Sequence, residues 1–290
     1  MPAARFSRPR SAALLAVLGA LLLLLIAAPA AFADAFTPED GSGSRNAEGI
    51  HTLFVIAMVI GGAIFALVEG VLIVSLIRFR QRRGGPPPAQ IRGNTPLEIG
   101  WTIGAATIVL VLAVITFAYL GDIKDPERSA AGAAKGDAGV QLAALNQSAV
   151  PGGKALNIDV NGQQYLWRYD YPGKDQVFSY YDMYVPVGTT VTLKITASDV
   201  VHSWWIPKLG GKADAVPGHT NETWFRVNKA GTYTGECAEL CGEGHADMRA
   251  RVIALPPDQF KAWMARQAAD IKDSQAKLSL ARQIRGEGSP

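Results

Sequence analysis

The chain has 290 residues, of which 49% are hydrophobic, and a net charge of +3. This length allows one large or two small domains, and most of the hydrophobic excess lies in the first 120 residues. The positive charge is concentrated in a basic N-terminal segment and in an arginine cluster near residue 80, so it gives no reason to expect a nucleic-acid partner.

The first apolar segment, residues 12–33, has the pattern of a cleavable export signal. It follows three arginines and ends in the small-residue sequence Ala31-Phe32-Ala33. We therefore predict a signal peptide over residues 1–33. A retained transmembrane anchor is the alternative interpretation, because residues 14–28 are strongly apolar. Both interpretations place the following segment outside the cytoplasm.

Two further apolar segments predict a transmembrane helical hairpin within residues 34–121. The first span, about residues 53–77, is followed by the arginine cluster, which stays on the cytoplasmic side. The second span, about residues 99–120, returns the chain outward. We therefore predict a multi-pass protein of a bacterial-type plasma membrane, in contact with lipid, whose C-terminal part lies on the extracytoplasmic face.

The remainder of the chain predicts an exported β domain. Residues 122–153 are rich in Ala, Gly and Ser and are typical of a linker. Residues 154–257 contain short β-branched or aromatic segments separated by turn residues, which predicts an antiparallel β sandwich or barrel of roughly 100 residues. Residues 258–290 predict a short helix followed by a charged tail. The predicted fold class is that of an α+β membrane protein.

One loop contains the residues most suited to metal chemistry. The only two cysteines of the chain share twelve residues with a histidine and a methionine, in Cys237-Ala-Glu-Leu-Cys241-Gly-Glu-Gly-His245-Ala-Asp-Met248. Soft sulfur ligands with imidazole and a weak thioether favour copper among the first-row metals. Two cysteines on one loop can each bridge a pair of copper ions, and each ion then needs an imidazole.

His245 supplies one imidazole, and the second must come from elsewhere in the chain. Of the four histidines, His51 begins a membrane span and His219 follows a Pro-Gly sequence typical of a turn, so His202 is the better candidate. A structural disulfide between the two cysteines is the alternative interpretation, which an exported protein permits. It would leave His245 and Met248 unexplained, and closing so short a loop gives little stabilisation.

The loop resembles, position by position, the binuclear copper loop C-x-E-x-C-x-x-x-H-x-x-M of cytochrome c oxidase subunit II. The resemblance spans roughly residues 50–265 and includes four further segments, which are Pro96-Leu-Glu-Ile-Gly-Trp-Thr102, Gly162-Gln-Gln-Tyr-Leu-Trp-Arg-Tyr169, Ser198-Asp-Val-Val-His-Ser-Trp204 and Asp214-Ala-Val-Pro-Gly218. It implies a cupredoxin-like Greek-key β barrel after the hairpin. It also implies that oxidase subunit I and other oxidase subunits are partners.

The resemblance implies a binuclear CuA centre with two copper ions. In the family, the two cysteines corresponding to Cys237 and Cys241 bridge both ions. One copper is completed by the residues corresponding to His202 and Met248, and the other by His245 with the backbone carbonyl of Glu239. The family also implies that the Glu239 side chain reaches a magnesium ion at the interface with subunit I, in agreement with the preference of Mg²⁺ for oxygen ligands.

The resemblance also assigns roles to residues away from the copper ligands. It implies that electrons from cytochrome c or a similar donor enter near Tyr165 and Trp167, and that Glu98 is a proton-uptake entrance. An interfacial anchor is the alternative role for Glu98. Glu69, deeper in the first span, has no counterpart in the family, and we expect it to face protein or water because a charge in lipid is costly.

The sequence departs from the family pattern at two positions. Tyr165 stands where the family usually has a tryptophan, which changes the aromatic group through which electrons are thought to enter. Gly104-Ala105 stands where a proline often follows the second span's Trp-Thr, which affects at most a kink. Neither departure involves a copper ligand.

Acidic residues near the copper loop predict a docking patch for a basic electron donor; they are Asp170, Asp214 and Glu243.

The family resemblance implies that the chain accepts electrons from cytochrome c and passes them to haem in subunit I, where oxygen is reduced to water and protons are translocated. Three other functions share part of this pattern. A quinol oxidase subunit II has the same hairpin and β domain but lacks the copper ligands. A nitrous oxide reductase shares the copper loop but has a large second domain and no hairpin. A membrane-tethered copper-delivery protein would not require Glu98 or the segment around Tyr165.

Overall fold

The computed structural model describes residues 44–80, 89–127, 155–173 and 176–285. The predicted signal peptide, the cytoplasmic loop over residues 81–88 and most of the predicted linker lie outside these residues. The predictions made for those three segments therefore stay predictions.

In the part of the chain that the structure describes, two long helices precede the β domain. Helix α1 runs over Arg45–Arg78 and helix α2 over Thr95–Lys124, and both are long and apolar enough to cross a membrane. At 1.5 Å per residue they measure about 50 and 45 Å, more than the ~30 Å hydrocarbon core of a bilayer. The linker was predicted to begin at residue 122, but residues 122–124 still belong to α2.

Within the described residues 155–173 and 176–285, ten strands form two five-stranded sheets, ordered β3-β2-β1-β5-β8 and β4-β10-β9-β6-β7. Hydrophobic side chains on the facing surfaces of the sheets form the core, which includes the fully buried Ile158, Leu193 and Val252. The strands are β1 (Leu156–Gln163), β2 (Leu166–Tyr171), β3 (Val177–Tyr180), β4 (Asp182–Pro186), β5 (Thr190–Ala197), β6 (His202–Trp205), β7 (Ala213–Ala215), β8 (Asn221–Arg226), β9 (Gly231–Cys237) and β10 (Arg249–Leu255).

The sheets are mixed, although the sequence predicted antiparallel pairing throughout. β1 pairs in parallel with β5, and β4 pairs in parallel with β10. The second pairing follows from a sheet change at Tyr181, which lies between β3 and β4 and has a φ of 62°. At Tyr181 the chain leaves the first sheet and enters the second. β4 can therefore pair in parallel with β10 although no crossover connection joins these two strands directly.

A C-terminal helix, α3, runs over Pro257–Ile284 and is longer than the short helix predicted. Its first turns pack on the β domain through Phe260 and Trp263, and the Trp263 ring stacks on Tyr184 with a centroid distance of 4.3 Å. Residues 269–284 contain no Gly or Pro and are rich in good helix formers, so the helix continues to Ile284. The fold class predicted from the sequence, a hairpin followed by an exported β barrel or sandwich, is confirmed.

Candidate metal centre

The cysteine loop connects two neighbouring antiparallel strands. Cys237 is the last residue of β9, and Met248 directly precedes β10. The loop closes on itself because the Cys237 amide donates to the Met248 carbonyl at 3.0 Å and the Met248 amide donates to the His245 carbonyl at 3.2 Å. β6 lies beside β9, which brings His202, the first residue of β6, next to the loop.

The sulfur of Cys237 lies among three of the predicted donor groups. It is 3.9 Å from Nδ1 of His202, 4.0 Å from the sulfur of Cys241 and 3.3 Å from the carbonyl oxygen of Glu239. The ligand atoms of His202, Cys237 and Cys241 all lie within 4.8 Å of one another. The carbonyl of Glu239 is therefore beside the cluster, while its side chain is exposed to solvent.

The sulfur of Cys241 contacts the remaining two predicted donors. It lies 3.6 Å from Nδ1 of His245 and 3.8 Å from Sδ of Met248. Atoms that bind one ion tetrahedrally at 2.0–2.3 Å are about 3.3–3.8 Å apart, so these distances suit donors arranged around metal. Two thiols, two imidazoles and a thioether form a soft donor set, which fits copper.

The cluster is buried on one side and open on the other. His202 and Met248 are fully buried, and both cysteines are nearly so. His245 is half-buried, and Leu240 on the same loop is 78% exposed. The cysteines are free thiols, with their sulfur atoms much farther apart than the ~2.05 Å of a disulfide.

Burial changes the acidity of the Cys241 thiol. Loss of hydration, and secondly the charge of Cys237, raise the pKa of Cys241 from 9.0 to about 11. The thiol therefore keeps its proton at neutral pH, and a metal ion that binds there must displace that proton.

Asp199 fixes the orientation of the His202 ring, which the sequence did not predict. Its Oδ1 lies 2.9 Å from His202 Nε2, so the other ring nitrogen, Nδ1, points towards Cys237. Burial acts to raise the pKa of Asp199, but hydrogen bonds from the Gln164 amide, His202 and the Val200 amide together lower it. A carboxylate three residues before a candidate histidine ligand is a signal that could have identified this residue.

Tyr165 lies against the cysteine loop in the turn between β1 and β2. A Cβ added at Gly244 would lie 2.5 Å from the Tyr165 ring, and one at Gly242 would lie 2.6 Å from its hydroxyl oxygen. The neighbouring Gln164 donates from Nε2 to the carbonyl of Cys241 at 2.7 Å. The aromatic ring and the loop thus fit together only because both loop positions are glycine.

Trp167, which the family resemblance places at the electron-entry region together with Tyr165, lies below the surface of the domain. This side chain is fully buried and therefore cannot touch a bound protein. It packs edge-on against the His202 ring, with a centroid distance of 5.9 Å and an interplanar angle of 67°. Trp167 belongs to the interior beside the cluster, whereas Tyr165 is the half-buried aromatic residue at its surface.

The predicted acidic docking residues have different surroundings. Asp170 is paired with Arg168 through side-chain bonds of 2.7 to 3.1 Å, so much of its charge is balanced within the domain. Asp214 accepts a hydrogen bond from Ser203 at 2.8 Å and is exposed, as is Glu243.

The two membrane carboxylates lie far from the cluster. Glu98 is in the first turn of α2, where its side chain accepts a hydrogen bond from the Asn94 amide at 3.1 Å and so helps to cap the helix. Glu69 lies twenty residues after Gly49, which faces Ile123 of α2. At about 100° per residue, Glu69 is on the side of α1 turned away from α2.

Comparison with known proteins places the chain in one family. The sequence model for the periplasmic domain of cytochrome c oxidase subunit II matches residues 179–255, and that for its transmembrane domain matches residues 36–119. Cytochrome c oxidase subunit 2 of Alkalihalophilus pseudofirmus is 32% identical over 257 residues, covering 87% of this chain and 68% of that protein.

Further relatives agree. Cytochrome c oxidase subunit 2 of Synechocystis is 35% identical over 261 residues, covering 81% of this chain and 77% of that protein. A solved structure of the periplasmic domain of subunit II of the cytochrome oxidase of Bradyrhizobium japonicum is 32% identical and covers 40% of this chain and 94% of that chain, with a TM-score of 0.39.

The fold and the donor set define a membrane-anchored protein with a periplasmic β domain and a Cys/His cluster consistent with a copper site. The chain belongs to the cytochrome c oxidase subunit II family, which confirms the resemblance seen in the sequence. It is a component of an oxidoreductase, and its partners include other oxidase subunits.

Proposed function

We propose that this chain is the electron-entry subunit of a cytochrome c oxidase, with a binuclear copper centre in its periplasmic domain. The observation that carries the proposal is the convergence of two thiols, two imidazoles and a thioether within 3.6 to 4.0 Å contacts. Copper bound there supplies reversible one-electron chemistry, which connects cytochrome c to the haem of subunit I, where oxygen is reduced to water and protons are translocated.

The residues of the chain hold and shield the centre. Cys237 and Cys241 would hold the copper centre through their thiolates, His202 and Met248 would supply further ligands on one side of it, and His245 with the Glu239 carbonyl would supply those on the other. Burial of His202 and Met248 excludes water from the inner side, and the Asp199 hydrogen bond keeps the His202 ring in one orientation. A rigid β scaffold keeps the ligands nearly fixed when the charge changes.

The exposed side of the cysteine loop is where the electron donor and subunit I would contact the domain. Tyr165 is the aromatic group nearest the loop surface, so we propose that the donor cytochrome c docks over it, with Asp214 and Glu243 nearby. The carboxylate of Glu239 is exposed and is proposed to bind Mg²⁺ together with groups of subunit I.

The membrane hairpin serves anchoring and proton uptake. We propose that it spans a bacterial-type plasma membrane twice, in contact with lipid, after removal of a signal peptide over residues 1–33. Glu98 lies at the start of α2, which this topology places on the cytoplasmic side, and its carboxylate is exposed. That position suits a proton entrance, in addition to its bond to the Asn94 amide.

The experiment that tests the function is a copper count with electron paramagnetic resonance on the purified full-length chain. Two copper ions sharing one unpaired electron, with reduction by cytochrome c, are expected. His219→Ala serves as a control because that histidine is exposed. A copper-delivery protein would instead give copper that a chelating acceptor removes readily and that cytochrome c does not reduce.

A further inference from the structure

Side chains of the membrane hairpin cover the free edge of strand β8. β8 is the last strand of its sheet, so one row of its backbone groups has no neighbouring strand. The Trp224 carbonyl accepts a hydrogen bond from Asn46 Nδ2 at 2.7 Å, and the Arg226 amide donates to the Ser44 hydroxyl at 3.0 Å. Ser44 is fully buried and Asn46 is 3% exposed, so these contacts lie inside the protein.

Asn46 also contacts the short helical turn that follows β6, a strand of the second sheet. Its Nδ2 donates to the Leu209 carbonyl at 3.3 Å, and Leu209 ends the short helical turn that follows β6. A Cβ at Gly210 would lie 2.6 Å from this nitrogen, so a glycine is needed for the close approach. Because β6 begins with His202, one buried side chain of α1 contacts both β8 and the segment that leads to a copper ligand.

The end of α2 binds the same edge of the domain. The indole of Trp224 donates to the Ile123 carbonyl at 2.9 Å, and the Thr190 hydroxyl donates to the Glu127 carbonyl at 2.7 Å. The Glu127 carboxylate pairs with Arg226 at 3.2 Å, with both side chains less than one-fifth exposed. Both helices of the hairpin are therefore attached to the β domain by buried polar contacts.

We propose that Ser44, Asn46 and Glu127 form a latch that fixes the copper domain in one position on the membrane hairpin, with Asn46 as a positioning residue for electron transfer. The latch rests on the proposed function, because it matters for transfer from the copper centre to the partner haem. The rate of electron transfer falls when the two groups that exchange the electron are displaced from their best geometry, so the copper domain needs a fixed position.

The test uses the assembled oxidase with the full-length chain carrying Asn46→Leu, which keeps a similar side-chain size but removes the donor to two buried carbonyls. We expect unchanged copper content and resonance spectrum, and unchanged reduction of copper by cytochrome c. Transfer from copper to haem should slow by about tenfold or more. Gly210→Ala should act in the same direction, because its methyl group would lie 2.6 Å from Asn46 Nδ2 and the φ of 135° at this position strains any side chain.

Gly211→Ala is the matched control, since a Cβ there would make only an ordinary 3.4 Å contact with Ile50. It should leave both electron-transfer steps unchanged. Equal rates in the Asn46→Leu and Gly211→Ala complexes would overturn the latch, as would an altered copper spectrum that accounts for the slow step.

A second measurement does not depend on copper or on assembly. In the full-length chain in detergent, hydrogen exchange of the Arg226 amide should speed up about tenfold in Asn46→Leu, because the Ser44 hydroxyl that accepts from this amide loses its own bond to Asn46 Oδ1. Unchanged exchange would overturn the latch even if the copper centre is intact. A wild-type chain with the protected amide but no copper pair would overturn the proposed function and leave the latch standing.

Discussion

The copper end and the hairpin end of the β domain are both built from buried polar groups, but they are assembled differently. At the copper end, five of the six proposed ligands lie within twelve residues on a single loop. At the hairpin end, Asn46 binds Trp224, 178 residues away, and Glu127 binds Arg226. The proposed copper ligands on the loop are close together in the sequence. The hairpin contacts form only after the hairpin and the β domain have come together.

This difference separates two properties of the protein. The short loop determines what the domain binds, because its donors are fixed by β9, β10 and their hydrogen bonds to each other. The hairpin contacts determine where the domain lies. Mutations at the two ends should therefore affect different measurements, namely metal content at one end and transfer to the partner haem at the other.

The largest expected effect is at the copper end. Cys241→Ser replaces a sulfur ligand that contacts three other donors, so the binuclear centre should be lost completely. The β fold should remain, because the core between the sheets is unchanged. Copper analysis and circular dichroism of the full-length chain measure both properties, with His219→Ala as the control. Retention of two spectroscopically normal copper ions would contradict the ligand assignment.

The sequence predicted which side chains lie together at the copper end. Ligand types and spacing within the loop identified Cys237, Cys241, His245 and Met248, and the choice of His202 followed from eliminating the other histidines and from the family resemblance. The structure brings all of these side chains together.

The sequence could not predict contacts that depend on tertiary packing. The roles of Asn46 and Glu127 require knowledge of which strand forms the sheet edge. The burial of Trp167 and the parallel pairing of β4 with β10 depend on how the chain changes sheets at Tyr181. The sequence pattern predicts which segments are strands, but not which strands pair with each other.

A substitution of Asp199 should affect the copper end less than Cys241→Ser does. Asp199→Ala removes the hydrogen bond to His202 Nε2 without removing a ligand. Loss of such an orienting partner typically lowers metal affinity by about 10- to 100-fold. Competition with a copper chelator measures the change, and the resonance spectrum reports whether the His202 ring has moved. Asp247→Ala, an exposed carboxylate on the same loop, is the control, and equal affinities of the two variants would remove Asp199 from the site.

The pKa of Cys241 gives a dependence on pH. Since burial raises it to about 11, copper must displace its proton at neutral pH, and affinity should fall about tenfold per unit of decreasing pH for this thiol. Without metal, the folded chain should lose stability as the pH rises from 9.0 towards 11, because the buried thiol keeps a proton that the unfolded chain releases. Proton release on copper addition, measured with a pH indicator, should be largely lost in Cys241→Ser, because that variant does not form the copper centre.

The smallest expected effect concerns the contact between Tyr165 and the loop, and it tests whether electron entry can be separated from copper binding. Gly244→Ala puts a methyl group 2.5 Å from the Tyr165 ring and so disturbs this contact without replacing any proposed ligand. Reduction of copper by cytochrome c should slow about tenfold, within the range seen for changes at one interface, whereas copper content should not change. Ala246→Ser, at an exposed position of the same turn, is the control. Stopped-flow reduction measures the step. If Gly244→Ala and Ala246→Ser were reduced equally fast, donor docking would have to occur elsewhere on the domain, and the glycine-dependent packing of Tyr165 would serve the structure of the loop alone.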